Sequence, residues 1–191
     1  MPRSGADARR RLQQAALDLY REYGFDRTTA SDIAERAGVN TRTFFRHFPD
    51  KREVLFDGEA DLRAALTQYV VEAPDGLTPA EVLLHAFREA AHILEENRSF
   101  SAPRLALIAA TPTLRERDLA KGAAMALSVA EALRRRGVGD RLADLAAHTG
   151  WATFHHAAQN WIDDPTPGLQ AYLTRAFADL NVLFGTLRSP S

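Results

Sequence analysis

Arg42 and Arg46 stand four residues apart, the spacing that puts two side chains on one face of a helix. A guanidinium can donate two parallel N–H bonds to a phosphate, or to the O6 and N7 edge of a guanine. Close around the pair lie Asn40, Thr41, Thr43, Phe45 and His47, with Thr29 ahead of them and Lys51 behind. These are groups that hold or read a polyanion, and they include no nucleophile-and-base pair. Elsewhere the chain has no glycine loop built to cradle phosphate and no set of residues spaced for a metal, so neither enzymatic activity nor a cofactor is expected. His148, His155 and His156 with Asp163 and Asp164 make a poor metal site, because adjacent helical side chains diverge by about 100°. Cysteine is absent, which excludes disulfides and thiol chemistry.

The elements that must present these groups follow from spacing. Leu12, Ala15, Ala16 and Leu19 repeat at i, i+3, i+4 and i+7, the apolar stripe of a helix from about Asp7 to Tyr23. Ile33, Ala34 and Ala37 mark a second short helix, and Phe44 and Phe48 a third. Gly38 falls where the second must stop in a left-handed turn, and Asn40 suits the N-cap of the third. Thr29 is placed to cap the second helix, and Phe25 to close the first against the small core. Arg42, Arg46 and their neighbours are left on the outward side of the third helix, the arrangement of a helix-turn-helix.

From Arg9 to Leu55 the chain resembles the DNA-binding domain of the TetR family of one-component transcriptional regulators. The likeness rests on Thr28-Thr29, Ile33-Ala34, Ala37-Gly38-Val39, Thr43-Phe44-Phe45-Arg46-His47-Phe48 and Lys51. It implies an all-α, TetR-like fold of about nine helices. An N-terminal three-helix domain, residues 1–50, would bind DNA. A larger helical domain, residues 51–191, would bind ligand and dimerise, with a helix from 51 to about 72 linking the two. The family usually carries tyrosine where this chain has Phe45, so a hydroxyl donor to phosphate is missing there. His47 matches the family's phosphate-contacting histidine. Lys51, with the amides of the fourth helix, would make a further phosphate seat.

Composition agrees. The chain has 191 residues and a net charge of −1, yet residues 1–52 carry 11 Lys/Arg against 7 Asp/Glu, and the remainder 13 against 18. A basic end on an acidic body suits contact with phosphates at that end alone. No apolar run is long enough to span a bilayer, and Met1 to Asp7 lacks an apolar signal core, so a cytoplasmic protein without membrane contact is expected.

Beyond the linking helix, Pro74-Asp75-Gly76 is a break, and Thr78-Pro79 opens a helix to about Asn97. Residues 98–102 are expected to interrupt the chain before a short apolar helix. A long helix follows from Thr111-Pro112 to near Gly137, another from an Asp140 cap to about Ile162, and a last one to about Leu187. The segment from Trp151 to Trp161 admits two readings. Trp151, Phe154, His156 and Gln159, with Phe87, Phe100 and Leu107 from the middle helices, could wall a pocket for a small, mostly apolar effector. Alternatively the last two helices pack against their copies in a homodimer, as the family implies. Leu173, Phe177, Leu180 and Phe184, at i, i+4, i+7 and i+11, would form that interface. The stretch from Thr111 to Trp161 resembles regulators of acyl-chain metabolism, which implies an acyl-CoA or a fatty acid. The resulting expectation is a repressor that binds a palindromic operator in double-stranded DNA as a dimer and is released by its effector. An activator or a ligand-independent regulator is the alternative; an enzyme or a pure interaction bundle has no motif behind it.

Overall fold

The computed structural model describes residues 5–185, with side chains through Leu183. Among them are nine α-helices and no strand: α1 (Gly5–Tyr23), α2 (Ala30–Arg36), α3 (Thr41–His47), α4 (Glu59–Glu72), α5 (Pro79–Glu96), α6 (Arg98–Ala110), α7 (Pro112–Arg135), α8 (Asp140–Asp163) and α9 (Leu169–Gly185). Their residues group into two compact units. One runs through Glu59 and takes in Ala102–Glu116; the other holds Ala60–Ser101 and the chain from Arg117 on.

In the first unit α1 buries Leu12, Ala15, Ala16, Leu19 and Tyr20 against Ile33, Phe44, Phe48 and Leu55. The helix expected to run unbroken from 51 to 72 is divided. Glu53–Phe56 form a 3-10 turn, and the Asp50 carboxylate ahead of it accepts from the amides of Arg52 and Glu53 at 2.7 and 3.2 Å. Gly58 then takes φ +83°, a left-handed setting that stops a helix, and α4 begins one residue later.

In the second unit α5, α8 and α9 pack on one another, burying Val82, Leu83, Phe87, Ala147, Phe154, Trp161, Leu169 and Leu173. Thr78 and Glu81 form a reciprocal capping box at the start of α5, with Pro79 in the first turn. The expected interruption at 98–102 shrinks to Asn97. The amides of Phe100 and Ser101 already bond to its carbonyl, and Pro103 sits inside α6. Gly139, not Asp140, is the N-cap of α8, and the Asp140 carboxylate instead accepts from Arg134 at 3.1 Å.

Two long-range clamps close this unit. Arg136 donates to the carbonyls of Val71, Ala73 and Pro74 at 2.7–2.8 Å and so satisfies chain-end acceptors of α4. Glu95 of α5 accepts the first amide of α9, that of Leu169, at 2.6 Å. A carboxylate at a helix N-terminus also lies favourably in the field of its aligned peptide dipoles.

Candidate nucleic-acid interface

Both ends of α2 are built from local chemistry. Thr29 accepts from the Asp32 amide, and Asp32 accepts in return from the backbone and hydroxyl of Thr29 at 2.8 and 2.7 Å. These bonds hold the Asp32 carboxyl below the usual carboxylate range. At the other end the amides of Gly38 and Val39 return to the carbonyls of Glu35 and Ala34, each at 2.9 Å, and Gly38 adopts φ +66°. That geometry is the expected left-handed close. Asn40 then caps α3, its side chain accepting from the Thr43 amide at 2.8 Å.

Capped at its start, α3 buries Phe44 and leaves Arg42, Phe45 and Arg46 exposed, with Thr41, Thr43 and His47 half-buried. Among the described residues neither Arg42 nor Arg46 bonds to a protein acceptor, so both guanidinium groups are available to a ligand. Thr41 lies 3.5 Å from the Ser31 hydroxyl, joining the outward sides of α2 and α3. Phe45 meets Phe44 edge-on, with ring centroids 5.3 Å apart and planes at 85°.

Lys51 departs from expectation. Its ammonium donates to the carbonyls of Phe25 and Thr28, both at 2.8 Å, and to that of Asp26 at 3.4 Å, while lying 4.3 Å from the centre of the Phe25 ring. A cation engaged by three carbonyls and an aromatic face has no donor to spare for a phosphate, and no long helix begins beside it. Tyr20 completes the knot, donating to the Lys51 carbonyl at 2.6 Å; its burial and then Asp50 push the phenol above its ordinary value. Lys51 therefore fixes the loop that leads into Thr29.

Sequence reasoning missed the other groups that hold the motif. Arg9 makes a bidentate pair with Asp57, which also accepts from Gln13 at 2.9 Å. Arg11 donates to the Ala37 carbonyl beside the turn, and Arg36 pairs with Glu22 through two bonds of 3.0 and 3.2 Å. These partners lie 14 to 48 residues apart, beyond the reach of any local spacing.

His47, the last residue of α3, has its Nε2 buried and without a protein partner among the described residues. Burial, then the charges of Arg46 and Arg9, hold its pKa below the ordinary 6.5. The unfolded chain takes up a proton that folded His47 resists, so its contribution to stability is intact above about pH 6.5 and declines as pH falls toward the lowered value. The melting temperature should therefore fall between pH 7.5 and 5.5, and His47→Gln should flatten that fall. An identical slope in the variant would assign the pH response elsewhere.

The residues expected to wall a pocket divide. Phe87, Trp151 and Phe154 come together with Phe177 as one ring cluster, Trp151 stacked on Phe154 at 5.1 Å and 10°. Phe100 and Leu107 are half-buried on α6. His156 and Gln159 point to solvent, and His156 Nε2 bonds to Asn160 at 3.1 Å, so these two line no apolar pocket. They occupy the face of α8 opposite Ala157, Ala158 and Trp161, which take the buried side.

The stripe expected to form the dimer interface is largely covered within one chain. Leu173 and Phe177 are 0% and 4% exposed within a single chain, where α5 and α8 already cover them, and Leu180 is half-buried. The side chain of Phe184 lies outside the described residues. Among the described residues the large exposed apolar side chains of these helices are Leu142 and Leu145 on α8 and Val182 and Leu183 on α9.

Comparison with known proteins adds to this geometry. Residues 12–57 match the family described as bacterial regulatory proteins, tetR family, and residues 77–184 match the MftR C-terminal domain. The HTH-type transcriptional regulator TcmR of Streptomyces glaucescens is 36% identical over 80 residues, which is 42% of this chain and 35% of TcmR. Rv2250c of Mycobacterium tuberculosis, an uncharacterized HTH-type regulator, is 28% identical over 77% of this chain and 91% of its own. Among solved structures, Thermus thermophilus FadR, a TetR-family repressor in complex with lauroyl-CoA, is similar at 28% identity. That likeness has a TM-score of 0.59 and covers 96% of this chain and 97% of FadR.

Proposed function

Because the chain belongs to the TetR family of bacterial regulatory proteins, whose members are DNA-binding transcriptional regulators and not enzymes, we propose that it is a ligand-released repressor. It binds a palindromic operator as a C2 dimer. The observation that carries the reading is the capped helix α3, which presents Arg42 and Arg46 outward with no protein acceptor among the described residues. In a dimer two such helices enter successive major grooves about 34–36 Å apart. An effector favours a state in which that separation no longer fits, by no more than its differential affinity for the two states, typically ~1–3 kcal/mol.

The effector carries a long apolar chain, and an acyl-CoA is the class we favour. FadR, similar over almost its whole length, was solved with lauroyl-CoA, and the Phe87–Trp151–Phe154 cluster supplies apolar surface within the second unit. The dimer surface is the exposed apolar side of α8 and α9 around Leu142, Leu145 and Val182.

Selection of binding sites from random duplexes by the full chain should yield a palindrome, and lauroyl-CoA should release the protein from it. In the same assay Arg42→Ala should cost about 1–3 kcal/mol and relax preference at one base pair in each half-site. Equal losses on operator and random duplex would make Arg42 a phosphate clamp. Failure to enrich any sequence would overturn the reading.

A further inference from the structure

We infer that Phe45 is a specificity-determining residue that reads the C5 methyl group of a thymine in each half-site, an inference that rests on the proposed operator binding. Phe45 is 55% exposed on the outward side of α3, while its neighbour Phe44 is fully buried. The edge-on contact between the two rings, 5.3 Å at 85°, fixes the direction in which the exposed ring projects. Arg42 lies one turn before it and Arg46 directly after it. The outward face is thus a rigid apolar surface set between two available cations.

A phenyl ring has no donor, so a phosphate oxygen gives it nothing to bind. Within a duplex its apolar partners are the deoxyribose and, in the major groove, the thymine methyl. The helix geometry favours the methyl. Arg42 and Phe45, at i and i+3, project from one face, so a helix that brings Arg42 to a base edge brings Phe45 to the base edges as well. Three residues advance the helix about 4.5 Å, against about 3.4 Å per base pair. The thymine should therefore lie one or two base pairs from the guanine that Arg42 reads.

The test uses the full chain and the operator obtained by selection, with deoxyuridine replacing thymidine one symmetric position at a time. Removal of the methyl at one position should weaken the wild type about fourfold for one half-site and about fifteenfold for both. Phe45→Ala, which should fold because the ring is mostly exposed, should bind the thymine and uracil operators equally. Circular dichroism checks that fold. Indifference of the wild type to every uracil substitution would overturn the inference while leaving operator binding intact. A uracil penalty that persists in Phe45→Ala would overturn it too, as would equal losses by Phe45→Ala on both operators with the penalty retained, which would place the ring on sugar. If no operator can be selected, the underlying reading falls with it.

Discussion

Lys51→Met is expected to destabilise the helix-turn-helix unit by about 4 kcal/mol and to leave the salt dependence of DNA binding unchanged. The size follows from what the ammonium holds. Two bonds of 2.8 Å go to the carbonyls of Phe25 and Thr28, and the cation sits on the Phe25 ring. Hydrogen bonds from a charged donor contribute roughly 1.5–3 kcal/mol each, and a partly desolvated cation over an aromatic face about 1 kcal/mol more. Methionine keeps the length and apolar stem of the side chain, so the loss isolates the ammonium. Operator affinity should fall only as the entry to α2 loosens, alike for every sequence and every ionic strength. A residue bound to phosphate behaves differently: its removal lowers the slope of log affinity against log salt by roughly one. An unchanged melting temperature with a shallower slope would return Lys51 to the phosphate.

Leu145→Asp should convert a dimer into folded monomers and lower operator affinity by about 10²–10⁴-fold. Leu145 is 64% exposed and Leu142 52%, so a charge placed there costs the single chain little. In a dimer the same carboxylate would be desolvated against its symmetry mate. The affinity falls because two linked recognition helices gain an effective concentration that one alone lacks. Phe177→Asp makes the contrast. Its ring lies inside the subunit beside Phe87, so a carboxylate there would unfold the second unit instead of separating two copies. Light scattering and circular dichroism distinguish the outcomes. If Leu145→Asp remains dimeric, the exposed side of α8 is not the contact.

The contrast between Leu145 and Phe177 also marks how far the sequence is legible. The stripe Leu173, Phe177 and Leu180 announces a face of α9 that must be covered, but periodicity carries no information on what covers it. Here α5 and α8 of the same chain do so. Capping is legible because its partners are three residues apart: Thr29 with Asp32, Asn40 with Thr43, Thr78 with Glu81. Lys51 illustrates the opposite case. A lysine near the start of a helix resembles a phosphate seat, and the carbonyls that take it lie 23 to 26 residues earlier. Gly58 likewise divides one expected helix into two through a backbone dihedral that no apolar spacing encodes.

The stacked ring cluster of the second unit has an optical consequence. The chain contains two tryptophans, and their surroundings differ. Trp161 is sealed in the core, whereas Trp151 is half-buried, face to face with Phe154 and with the edge of His155 at 5.0 Å. Water reorients around the excited indole of Trp151 and lowers its emission energy; the rigid interior around Trp161 does not. Steady-state emission should therefore superpose a redder and a bluer component. Replacing Trp161 with phenylalanine would leave Trp151 as the sole tryptophan at the edge of the aromatic cluster, and a shift of its emission on titration with lauroyl-CoA would test whether the proposed effector reaches that cluster.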